Sequence, residues 1–150
     1  MKRLILVGCM ALLPLATHPA MAAKLPTSRE QLKKEATHIV AGTVQAVSQS
    51  HENAGQYDVT RYTAELNVHA VEKGQGIVPG GVIKVRYWSK TWRGAGQPPP
   101  DDSGHRSRPN IGDAVRAYLV DRGYNGAGYT TDGGFDVYFN NGFEIIDPPR

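Results

Sequence analysis

The chain has 150 residues with 17 basic and 14 acidic side chains, a formal charge of +3, and a single cysteine. That length supports one domain with a real core. The charge balance excludes a strongly basic nucleic-acid binder, and the cysteine count excludes a disulfide framework within the chain.

The first residues read as a secretory signal peptide. Lys2 and Arg3 form a positive start, Leu4 to Ala16 is largely apolar, and Ala20-Met21-Ala22 places small residues where a signal peptidase cuts. The apolar run is too short for a permanent membrane span. Leu6-Val7-Gly8-Cys9 has the outline of a lipobox, but too few apolar residues precede Cys9 for lipid anchoring to be the first choice. Cleavage after Ala22 takes 17 basic residues to 15 against 14 acidic, and the formal charge from +3 to +1. It also removes Cys9. The expectation is a periplasmic or secreted domain over residues 23–150, held by packing alone.

Thr27 to Ala36 reads as a short helix, with Thr27 as cap and Glu30 as its capping-box partner. Leu32, Ala36 and Ile39 give it a sparse apolar side that should lie against the domain. His38 to Val47 is rich in β-branched residues, and Gly42 inside it suggests a bulge or bend. Ser48 to Gly55 is polar and reads as a loop. Val59 to Val71 is the clearest strand: Tyr62, Ala64, Leu66, Val68 and Ala70 alternate with polar neighbours. Glu72 to Gly76 and Pro79-Gly80-Gly81 are turn chemistry.

Val82 to Trp88 is a third strand, with Ile83, Val85 and Tyr87 on one side and Lys84, Arg86 and Trp88 on the other. Residues 89–112 then read as a long flexible loop, stiffened locally by Pro98-Pro99-Pro100. In Ala114 to Val120, the side chains of Val115, Ala117 and Leu119 should be core, with Arg116 and Tyr118 opposite. After a glycine-rich stretch, Phe135 to Phe139 and Phe143 to Ile146 flank Asn140-Asn141-Gly142, a hairpin signal. One helix and five to six strands, most with one apolar face, point to a mainly β, OB-like barrel.

The order of parts carries a resemblance. Ala36-Thr37-His38-Ile39-Val40-Ala41-Gly42-Thr43-Val44 matches an opening strand of the form A-D-x-V-x-x-G-x-V. Val71-Glu72-Lys73-Gly74, Val82-Ile83-Lys84-Val85 and Gly112 to Leu119 follow in the same order. Together they resemble the OB-fold of the netrin-module and tissue-inhibitor-of-metalloproteinase group, over most of residues 28–120. The resemblance implies the barrel. It does not carry inhibition, because the disulfide-bonded N-terminal cysteine that grips the protease zinc has no counterpart in the mature chain.

No cofactor is implied. Asp101, Asp102 and His105 lie close together but lack the alternating carboxylates a hard cation needs, and His38, His51 and His69 are isolated, so no metal site is assigned. There is no G-x-S-x-G and no H-E-x-x-H. Asp132 and Asp136 could be imagined as a carboxylate pair, yet Thr131-Asp132-Gly133-Gly134 reads as turn residues. The sequence is that of a non-enzyme.

The remaining candidate is a ligand-binding face: Lys84, Arg86 and Trp88 on the third strand, Trp92 and Arg93 in the loop, and Arg116 and Tyr118 on the fourth. Rings beside cations suit stacking on sugars or single-stranded nucleic acid. The two tryptophans could equally cap the barrel. Export argues against nucleic acid as the natural ligand. The expectation is a non-catalytic binding or interaction module whose partner is an envelope protein or a carbohydrate. An alternative is an envelope protease inhibitor acting through a barrel edge or a new N-terminus at Ala23.

Overall fold

The computed structural model describes residues 26–99, 104–121 and 133–146. Residues 1–25, which include the expected signal peptide, Cys9 and Ala23, lie outside the described residues, as do Asp101, Asp102 and Asp132. One short helix, α1 (Arg29–Glu35), precedes six strands: β1 (His38–Ala54), β2 (Tyr57–Lys73), β3 (Val82–Trp92), β4 (Ala114–Asp121), β5 (Phe135–Val137) and β6 (Phe143–Ile145). The protein is mainly β, with one mixed sheet in the order β1-β2-β3-β5-β4-β6 and a further pairing between β1 and β4. Every pairing is antiparallel except β3 with β5. Among the described residues no helix is long and apolar enough to cross a membrane.

Period-two alternation builds the main core. Ala64, Leu66 and Val68 of β2 meet Val85 and Tyr87 of β3, Val115, Ala117 and Leu119 of β4, and Val40 and Val44 of β1. Each is buried to 3 % exposure or less. The bend expected at Gly42 is present: β1 shifts register against β2 between Ala41 and Gly42.

The sequence reading of α1 needs a one-residue correction. Ser28, not Thr27, is the cap, and its Oγ accepts from the Gln31 N–H at 3.2 Å. At the other end Lys73 Nζ donates to the Lys33 and Lys34 carbonyls at 2.9 and 3.0 Å, satisfying acceptors that the last turn leaves open. Ser28→Ala should therefore cost about 1 kcal/mol, read as a lower urea midpoint with an unchanged slope.

Two segments behave differently from their sequence signals. Ser48 to Ala54, expected as a loop, continues β1 and pairs with Tyr57–Thr63 through a two-residue turn at Gly55-Gln56. Gly55 has φ 65, which glycine tolerates without a side-chain penalty. The segment is exposed and held by its ladder, not by burial, so hydrophobicity could not reveal it.

The Asn-Gly hairpin is also absent. β5 and β6 do not pair with each other; both lie antiparallel on β4, β5 against Leu119–Asp121 and β6 against Val115–Ala117. Residues 138–142 form a bulge between them opposite Tyr118, whose carbonyl accepts from the Tyr138 N–H and whose N–H donates to the Gly142 carbonyl, both at 2.8 Å. Phe139 takes a positive φ of 56, and Asn141 Nδ2 donates to the Thr27 carbonyl at 2.8 Å. Tyr138 and Phe139 pack on a second cluster of Leu32, Ala36, Ile39 and Tyr118. Docking on α1 thus replaces chain reversal.

Candidate functional site: an aromatic cavity beside Trp88

Strand register places the expected binding residues. Directly opposed residues share a face of a sheet. Ser48, Thr63 and Arg86 form one such row, and Ser50, Arg61 and Trp88 the next. Lys84 sits on the same side of β3 one pleat away, exposed, opposite Glu65. β3 runs on through Ser89 to Trp92, so Trp92 extends this face as strand rather than loop. Its ring meets Tyr57 edge-on at 5.0 Å, and its buried Nε1 finds no acceptor among the described residues. Arg93 follows, paired with Asp58 at 2.7 Å.

Arg116 and Tyr118 do not join this set. Arg116 is held by Glu72 at 2.7 Å and Glu144 at 3.3 Å, and these contacts keep its guanidinium charged. Tyr118 was expected on a wet face but is 0 % exposed. Its side of β4 is indeed opposite Val115, Ala117 and Leu119, yet α1 covers it. Burial pushes its hydroxyl pKa up, and Glu144 adds to the rise. It offers no ring to a ligand.

A cavity of about 410 Å³ opens where β1, β2, β3 and β5 converge. Ser48, Gln49 and Ser50 line it from β1; Arg61, Tyr62 and Thr63 from β2; Arg86, Tyr87 and Trp88 from β3. His105, Val120, Asp136 and Val137 complete the wall. Asp136 belongs to β5 and grips Arg86 by two bonds, Nε to Oδ1 at 3.3 Å and Nη2 to Oδ2 at 3.1 Å. The side chains are 11 % and 17 % exposed, so water screens the pair only partly.

Below lies a column of rings. Tyr62 stacks on Tyr87 at 4.8 Å with an 8° tilt, and Phe143 meets Tyr87 edge-on at 5.2 Å. Burial pushes the Tyr87 hydroxyl up to about 12, with Tyr62 adding to the rise and Arg108 opposing it. The Tyr62 hydroxyl shifts down, chiefly through its hydrogen bond with Ser89 and also through Arg108. A tyrosine with a raised folded pKa stabilises the fold below its unfolded value near 10. That contribution is lost as pH climbs through the folded value. The urea midpoint should therefore fall between pH about 10 and about 12, and Tyr87→Phe should flatten that fall.

His105 locks Trp88 in place. His105 Nδ1 lies 3.1 Å from both the Trp88 N–H and the Trp88 carbonyl, and Nε2 lies 3.2 Å from the Val137 carbonyl. The imidazole thereby stitches β3 to β5 beyond Arg86, where their ladder ends. The His105 N–H also donates to the Trp88 carbonyl at 2.8 Å. Gly104 pairs with Ser89 at φ 92, and a Cβ there would collide with the Trp88 carbonyl oxygen. His105 is thus a structural clasp. A second cavity, of about 270 Å³, is lined by Trp88, Gly104, His105, Val137, Tyr138, Phe139 and Asn140.

The other histidines among the described residues have local partners. His38 Nε2 lies 3.0 Å from the Gln75 carbonyl, His51 Nδ1 3.1 Å from Thr60, and His69 Nε2 3.4 Å from Thr43. No group of three metal-capable side chains occurs among the described residues. Sequence reasoning missed Tyr62, His105 and Asp136 as wall residues. Alternation had already put Tyr62 with the apolar side of β2, and Asp136 lies within the stretch Phe135 to Phe139. Nothing in the sequence joined them to Arg86 or Trp88.

Comparison of the chain with protein-family models, curated proteins and solved structures finds no match.

Proposed function

We propose that the protein is an exported, non-catalytic binding module, an OB-like barrel of the netrin and metalloproteinase-inhibitor type that holds its ligand beside Trp88. The barrel reading is supported by the pairings. β1 contacts β2 on one side and β4 on the other, and β3 and β5 link those two neighbours. The signal-like first 22 residues support export. The observation that carries the binding reading is the cavity of about 410 Å³ lined by Tyr62, Trp88 and the Arg86–Asp136 pair. Concave sites with aromatic walls and a few fixed polar groups are the usual places where proteins hold small ligands.

The two tryptophans make a direct test possible. Trp92→Phe leaves Trp88 as the sole indole and removes a buried N–H that has no acceptor among the described residues. Emission of this variant should change saturably with one class among neutral glycans, sulfated glycans, single-stranded oligonucleotides and extended peptides. If no class alters Trp88 emission, the binding reading fails.

A further inference from the structure

We infer that the ligand is a linear, neutral glycan lying across both cavities, with Trp88 as the stacking platform they share. This rests on the binding reading above. The two cavities have Trp88, His105 and Val137 in common. They are therefore two adjoining lobes that meet at Trp88, His105 and Val137. A ligand that fills both must be a chain, and its middle must pass over Trp88.

Charge selects the kind of chain. Both arginines of the larger lobe are held by carboxylates: Arg86 by Asp136 at 3.1 Å and Arg61 by Glu52 at 2.9 Å. The side chains contributed only to the smaller lobe, those of Tyr138, Phe139 and Asn140, carry no formal charge. Arg108, beside the Tyr62 hydroxyl, adds a single cation. A polyanion draws its affinity from several uncompensated cations, and this groove does not supply them.

The β3 backbone at Trp88 is closed to a peptide. An extended peptide binds by adding a strand, which needs open main-chain groups. At the cavity wall the Trp88 N–H and carbonyl are both taken by His105, and Ser89 pairs with Gly104.

Sugar fits what remains. The flat C–H face of a pyranose packs on an indole, and its hydroxyls need fixed donors and acceptors. Ser48, Ser50 and Thr63 are hydroxyl-bearing residues of the wall, and Ser48 Oγ donates to the Thr63 carbonyl at 3.4 Å. An ionised carboxylate accepts about four hydrogen bonds, and Arg86 supplies two to Asp136, so acceptor capacity remains for adjacent sugar hydroxyls. His105 and Gly104 fix the Trp88 backbone before any ligand arrives, which lowers the ordering cost of binding.

Calorimetry of the purified protein tests this with linear oligomers of glucose and of N-acetylglucosamine, from a single sugar to about six units. A sulfated glycan, a thymidine oligonucleotide and an extended peptide serve as rivals. The expected result is affinity for a neutral series that rises about tenfold or more between one and three units and then levels. It should stay nearly constant from about 0.05 to about 0.5 M salt. Trp88→Ala should lose about tenfold or more, and Trp88→Phe should retain part of the binding by keeping a ring. Circular dichroism of both variants confirms that the fold survives.

Steeply salt-dependent binding of the sulfated glycan or the oligonucleotide, binding of the peptide alone, or a neutral series flat in length would overturn the glycan assignment and leave the binding reading standing. Binding by no probe, together with silent Trp88 emission, would remove both.

Discussion

Tyr87→Ala is expected to destabilise the protein by about 3–5 kcal/mol, the usual range for deleting a large aromatic side chain from a packed core. Tyr87 is 3 % exposed, stacked on Tyr62 and met edge-on by Phe143. Its removal leaves a void bordered by β2, β3 and β6 that the ladders prevent from collapsing. Against a total stability of about 5–15 kcal/mol, such a loss is a large fraction of the whole. The melting midpoint should drop by about 10–20 °C. Tyr87→Phe keeps the ring and the stack, so it should cost under about 1.5 kcal/mol. A loss below about 1 kcal/mol for Tyr87→Ala would mean that this column does not bear on the core.

Asp136→Asn should carry the second largest effect, about 2–3 kcal/mol. The substitution keeps the side-chain shape and removes the charge that faces Arg86. Breaking one half of a buried pair costs about 3–5 kcal/mol because the other charge stays behind; the partial exposure of both side chains pulls that figure down. Replacing both partners at once, as in Arg86→Met with Asp136→Leu, should recover most of the loss. The double-mutant cycle then gives the coupling directly. Function should shift too. With Asp136 neutral, Arg86 gives the larger lobe a positive charge, and the variant should gain weak, salt-sensitive affinity for sulfated glycans. Loss of stability with no gain in anion affinity would separate the pair from the ligand site.

The sequence made some features legible because local chemistry decides them. Alternation marked Ala64, Leu66 and Val68 as one buried face, and Gly42 marked a register shift. Lys84, Arg86 and Trp88 share a side because a strand has period two and nothing in the sequence breaks it. Features that depend on distant contacts were hidden. Ser48–Ala54 is strand because Tyr57–Thr63 pairs with it, though its side chains are exposed. Period two put Tyr118 opposite the core and could not show that Leu32, Ala36 and Ile39 cover that side. Asn140-Asn141-Gly142 carries a reversal signal, and contacts with Thr27 and α1 turned it into a bulge. The cavity wall was hidden for the same reason. His105 is 17 residues from Trp88 and Asp136 is 50 from Arg86, so no local spacing rule links them.

The most direct test is a two-dimensional nitrogen–proton NMR spectrum of the labelled protein, followed as a neutral linear oligosaccharide is added. The Trp88 indole N–H and the amides of Ser50, Thr63, His105, Asp136 and Phe139 should shift together with one saturating midpoint. Shifts confined to α1 or to the tip of the β1–β2 arm, with those signals unmoved, would show that the ligand surface lies elsewhere.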